Sequence, residues 1–126
     1  MMYDHLGLKT QDLDASTRFY QAALASLGHV LCSRDEASAG LGPENAPSLW
    51  LHAAKKNPNR DGVHIAFRAS TRAAVDAFHQ AGLGAGGRDN GAPGLRPEYS
   101  PNYYAAFLLD PDGNNVEAVC LAARSE

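Results

Sequence analysis

The stretch HLGLKTQDLDASTRFYQAAL, residues 5–24, returns 59 residues later as HIAFRASTRAAVDAFHQAGL, residues 64–83, without a gap. Six of the twenty positions are identical: His5/His64, Ala15/Ala74, Phe19/Phe78, Gln21/Gln80, Ala22/Ala81 and Leu24/Leu83. Alanine-rich helices resemble one another by chance. Here a strand pattern and a helix pattern match in one register, which marks an internal duplication.

Each copy opens with period-two alternation. His5, Gly7 and Lys9 fall on one face and Leu6 and Leu8 on the other; His64, Ala66 and Arg68 oppose Val63, Ile65 and Phe67. Both strands therefore carry an apolar face and a face with a histidine, a small residue and a base. A helix follows each. Leu13, Tyr20, Leu24 and Leu27 share one side of the first, with Asp12 and Asp14 at its start and Gly28 as its stop. The second begins near Ser70 or Thr71, carries Val75 and Phe78 inward, and ends by Gly82.

Three short strand patterns follow the first helix: HVLCSR, EASAGL and SLWLHAA. A glycine-rich stretch, YYAAFLLD and NNVEAVCL follow the second. The reading is α+β, βαβββ twice in a single domain over residues 1–126, with the helices covering the apolar faces of the sheet. Module 1 spans 1–54, a linker with Pro58 spans 55–61, and module 2 spans 62–126. Phe19, Phe67, Phe78 and Leu27 read as core.

Composition narrows the function classes. Hydrophobic residues at 44% and charged residues at 20% rule out wholesale disorder. A net charge of −3 without a basic run gives no reason to expect a nucleic-acid or membrane partner. No apolar stretch approaches the ~20 residues of a membrane helix, and the start MMYDHLGLK lacks a signal-peptide apolar region. Cys32 and Cys120 read as reduced, buried thiols, which suits a cytoplasmic protein.

In AAFLLDPDGNNVEAVCL, residues 105–121, the last strand carries a single carboxylate, Glu117, amid apolar residues. Burying it is costly unless a positive or hydrogen-bonding group meets it. Alternation puts Asn115, Glu117 and Val119 on one face, so Glu117 shares a cavity with His5 and His64. Two imidazoles and a carboxylate suit one divalent transition metal, and Fe, Mn, Zn, Ni and Co are all compatible. The Asp110 and Asp112 carboxylates shape the turn, with Gly113 accepting a positive φ.

With its first-strand histidine, the VHIAF strand and above all DPDGNNVE, the chain resembles the vicinal oxygen chelate superfamily. That superfamily includes glyoxalase I, bleomycin- and fosfomycin-resistance proteins, methylmalonyl-CoA epimerases and extradiol dioxygenases. The resemblance implies paired βαβββ modules forming a U-shaped mixed sheet around a metal, and a homodimer. It places His5, His64 and Glu117 at the metal positions. The activity implied is a metal-dependent lyase, isomerase or oxygenase acting on a small oxygenated molecule; the alternative is a non-catalytic, antibiotic-binding protein.

Two departures bear on the reaction. Glyoxalase I takes a further Glu from the last strand of its first module, where SLWLHAA offers Trp50 and His52 on one face and no acid. Trp50 is expected to fill that slot; His52 reads as a neighbour of the ligands or an exposed side chain, with ligation as the alternative, and both are candidate substrate contacts. Extradiol enzymes place a tyrosine ten residues before the ligand Glu, where this chain has Phe107.

The stretch 82–104, rich in Gly and Pro, reads as a long loop that chooses the substrate. Arg88 and Arg96 in it, and Arg68 on the second repeated strand, are candidates to hold a substrate anion. Tyr103 and Tyr104 point to opposite faces, so one is core and the other reaches the cavity as a hydrogen-bond donor or acid.

Overall fold

The computed structural model describes residues 2–56 and 62–123; most of the expected linker, 57–61, lies outside the described residues. In chain order the elements are β1 (Leu6–Thr10), α1 (Leu13–Leu24), a 3₁₀ turn (Ala25–Leu27), β2 (Val30–Arg34), β3 (Ser38–Gly42) and β4 (Leu49–Ala53). The second series is β5 (His64–Arg68), α2 (Arg72–Gly84), β6 (Arg88–Leu95), β7 (Tyr104–Leu109) and β8 (Asn115–Cys120). This is βαβββ twice. The strands form two four-stranded mixed sheets, ordered β1-β4-β3-β2 and β5-β8-β7-β6. In each, the first strand pairs parallel with the last, and the other pairs are antiparallel.

The helix starts follow from their caps. The Asp12 carboxylate accepts from the Ala15 amide, and the Thr71 hydroxyl accepts from the Ala74 amide. Gly28, at φ +89°, turns the chain out of the first helical segment, a conformation L side chains resist. The second helix continues to Gly84, two residues past the expected stop.

Both modules feed one core, in which Phe19, Tyr20 and Leu24 of α1 join Val75 and Phe78 of α2, with Leu51 and Leu108 from the two sheets. Phe19 and Phe78 are both 0% exposed, and burying each ring stabilises by about 1.5–3 kcal/mol. Phe67 and Leu27, expected in the core, pack against its rim. Cys120 is buried and Cys32 half-buried, both as free thiols. Among the described residues no helix is long and apolar enough to cross a membrane.

The stretch 82–104 is not one loop: its residues 88–95 form β6, paired to β7 through two register breaks. RDNGAPGL has no apolar alternation to reveal a strand, and its partner strand imposes the extended backbone. Glycine at the entry to β6 is needed for packing. A Cβ on Gly87 would lie 2.4 Å from Phe19 Cε1 and 2.8 Å from the Gly82 carbonyl oxygen. Neither a buried ring nor helix backbone yields easily. Gly87→Ala is expected to destabilise the fold by about 1–3 kcal/mol in a urea melt, as overpacked cores do; an unchanged midpoint would refute that contact.

Candidate functional site

Register builds the site on the open face of the second sheet. β5 and β8 run parallel with Ala66 opposite Glu117 and His64 opposite Asn115, while β7 brings Phe107 opposite Glu117 from the other side. The Glu117 carboxylate is 2% exposed, yet both its oxygens are met. His64 Nε2 lies 2.9 Å from Oε1, and the Tyr103 hydroxyl donates to Oε2 at 2.5 Å. The buried charge implied by VEAV thus has its partners. The Phe107 ring stacks beside His64, centroids 6.4 Å apart.

Proton counting constrains this pair. His64 Nδ1 lies 3.0 Å from the Asn115 carbonyl oxygen, which only accepts, so Nδ1 carries a hydrogen. A neutral imidazole would then turn the bare lone pair of Nε2 towards a carboxylate oxygen. Two facing lone pairs repel, so that point suits a cation. Burial, and then the bond to Glu117, push the Tyr103 phenol up to about 12, so it remains a neutral donor at working pH.

The donors fit a metal. An imidazole nitrogen and a carboxylate oxygen stand side by side at 2.9 Å, both donor types that divalent transition metals accept. A ligand histidine that donates its other N–H to a backbone carbonyl is also the usual arrangement. The backbone carbonyl of Asn115 is the partner the sequence reading missed. Parallel pairing of the first and last strands of a module would have revealed it.

The other candidates fall as follows. His5 precedes β1 and is half-exposed, with Nδ1 2.7 Å from the Asp4 carboxylate. It borders a largely apolar hollow of 230 Å³ with Leu49, Ile65 and Phe67, a hollow that Glu117 does not line. Among the described residues no group of three His, Cys, Asp or Glu side chains is gathered tightly enough to hold an ion. His64 itself borders a second hollow of 430 Å³ at the seam between β1 and β5.

Trp50 pairs with Gly7 as Glu117 pairs with Ala66, so the register puts an indole at the first module's counterpart of the Glu117 position. Its ring lies over Gly40, where a Cβ would be 2.8 Å from it. The His52 ring sits over Gly7 on the same sheet face. Tyr104, the other member of its pair, donates to Asp76 of α2 at 2.6 Å, with the Arg72 guanidinium 5.2 Å over its ring. Arg68 and Arg88 are exposed, whereas Arg96 folds back over Phe107, its guanidinium carbon 5.4 Å from the ring centroid.

The family described as a glyoxalase-like domain matches residues 5–119. A glyoxalase/bleomycin resistance protein from Albidiferax ferrireducens T118 is 29% identical, with a TM-score of 0.80 over 95% of this chain and 98% of that one. A glyoxalase/bleomycin resistance protein/dioxygenase family enzyme from Burkholderia phytofirmans PsJN shares the fold at 21% identity and TM-score 0.71, covering 94% and 98%. So does a glyoxalase-related enzyme from Fulvimarina pelagi, at 20% identity and TM-score 0.70, covering 91% and 84%. No curated protein matches the chain.

Proposed function

The chain belongs to the glyoxalase-like domain family, and from that premise we propose a metal-dependent enzyme acting on a small oxygenated molecule. His64 and Glu117 are the ligands of one divalent ion, and His5 is the third once its imidazole leaves Asp4. The observation that carries this reading is the pair of acceptors, Nε2 and Oε1, facing each other at 2.9 Å with Nδ1 already committed to Asn115. When bound, the ion supplies Lewis-acid stabilisation of negative charge on a substrate oxygen. Imidazole and carboxylate donors accept Fe, Mn, Zn, Ni or Co.

The protein's own groups do the positioning. Asn115 fixes the ring orientation of His64, and Tyr103, held neutral, anchors the second oxygen of Glu117. His64, 49% exposed on its side chain, is the member of the pair that a substrate in the seam hollow would meet. Phe107 offers no proton, so an acid or base step by a tyrosine at that position is not part of this reading.

Titration of metal-stripped, tag-free protein with Zn²⁺, and anaerobically with Fe²⁺, tests the proposal. One equivalent is expected to bind with release of protons, so affinity should fall as pH falls. Failure of either ion to bind at millimolar concentration would overturn it.

A further inference from the structure

β6 is an irregular strand, and its irregularity has an occupant. The register with β7 breaks between Asp89 and Gly91 and again between Gly91 and Gly94. Across those two breaks the Arg96 side chain doubles back along its own strand. Nη1 donates to the Gly94 carbonyl at 2.9 Å and Nη2 to the Ala92 carbonyl at 2.7 Å. A Cβ at Gly91 would stand 3.3 Å from Nη2 and one at Gly94 3.2 Å from Nη1, so both glycines leave room for the guanidinium. Gly91 also adopts φ +153°, which other residues rarely take.

This cradle holds a cation without neutralising it. Carbonyl dipoles and the Phe107 ring stabilise the charge, but among the described residues no carboxylate pairs with Arg96. Guanidinium has five N–H donors, and these two bonds leave others for an outside acceptor. Immobilising so long a side chain forfeits rotamer freedom. Surface arginines such as Arg68 and Arg88 are exposed and have no such seat. The position is specific too. The Phe107 ring centroid lies 5.4 Å from the Arg96 guanidinium carbon and 6.4 Å from the His64 ring centroid, so one ring stands beside both the guanidinium and a proposed metal ligand.

We propose that Arg96 is a substrate-recognition residue that takes a carboxylate of the molecule bound at His64 and Glu117, making the substrate an oxygenated carboxylic acid. The inference rests on the functional reading above for the location of the reacting end. The recognition itself belongs to Arg96. A planar fork already oriented by two carbonyls meets a carboxylate with little further loss of freedom.

The test compares benzoate with its neutral isostere benzamide on the full-length protein, by calorimetry and by the NMR signal of the Arg96 Nε–H. Benzoate is expected to bind about tenfold tighter than benzamide, the effect of one or two charge-assisted hydrogen bonds, and to shift that signal. Arg96→Gln should erase the preference, and Arg96→Lys should retain part of it. A merely structural arginine would change the melting temperature in these variants but would give wild-type protein no preference. Equal binding of the two probes, or a benzoate preference that survives Arg96→Gln, overturns the proposal. If the glutamine variant does not fold, the wild-type Nε–H shift decides alone. Binding of catechol to the Zn²⁺-loaded protein judges the chelating site separately: its absence beside an intact benzoate preference would remove oxygen chelation at His64 and Glu117 and leave the anion site.

Discussion

Glu117→Gln protein should purify folded and lose its metal. The substitution keeps the shape, and the amide suits the surroundings. Its oxygen accepts from Tyr103, and its NH₂ donates to the bare Nε2 of His64, so no cation is needed between them. Thermal stability without metal is therefore expected to match or exceed wild type. Metal affinity is expected to fall by about a hundredfold or more, since loss of a direct ligand exceeds the 10–100-fold typical of outer partners. Saturating Zn²⁺ at about a hundred times its dissociation constant should stabilise wild type by about 2.7 kcal/mol and the variant by almost nothing. Differential scanning calorimetry with and without Zn²⁺ reads both effects. Equal metal-induced stabilisation in the two proteins would show that Glu117 is no ligand, and its buried charge would then exist only for the imidazolium of His64.

The second large effect is one of folding. Asp110, 1% exposed, stands where the D-P-D-G turn meets α1. Its Oδ2 accepts from the Tyr20 hydroxyl at 2.5 Å and from Asn114 Nδ2 at 2.9 Å; its Oδ1 accepts from the amides of Asp112 and Asn114. Asn114 Oδ1 in turn accepts from the Val63 amide at the entry to β5. Asp112 takes the Gln11 amide and the Ser16 hydroxyl. The turn is therefore a polar clamp between the first helix and the second sheet. Burial, and then the adjacent Asp110 charge, drive the Tyr20 phenol well above its ordinary range, so it stays a donor.

Asp110→Ala strands a buried phenol, an amide side chain and two backbone N–H groups. The expected loss is about 3–5 kcal/mol, a large share of the 5–15 kcal/mol that holds a domain of this size. Urea unfolding checks this. Asp110→Asn should lose less, because its carbonyl still serves part of the set. A loss below about 1 kcal/mol for the alanine variant would mean that the clamp is replaced by water at little cost.

How much of this was readable from residues alone follows from the range of each interaction. The duplication, both helices and the regions where they begin, near Asp12 and near Ser70 or Thr71, are local matters of periodicity and capping; the structure makes Asp12 and Thr71 the caps and carries the second helix two residues further than read. Strand parity put His64 and Glu117 on one face, and the register confirms that face because alternation has a fixed period of two. The same parity said that Tyr103 and Tyr104 diverge. Which of them meets Glu117 depends on the neighbouring α2, where Asp76 takes Tyr104.

Parity fails where the strand does. His5 lies one residue outside β1, so no ladder orients its ring and Asp4 takes it. β6 escaped notice because its glycines present no side-chain pattern, and the fold-back of Arg96 depends on those glycines and on Phe107 from another strand. The duplicated βαβββ chain and the buried acid of its last strand were thus determined by the sequence itself, since backbone periodicity and burial act over a few residues. The tertiary structure decided what that acid touches, which carbonyl His64 Nδ1 meets and where the Arg96 guanidinium rests. Those depend on strand register and on contacts between segments far apart in the chain, which no local pattern encodes.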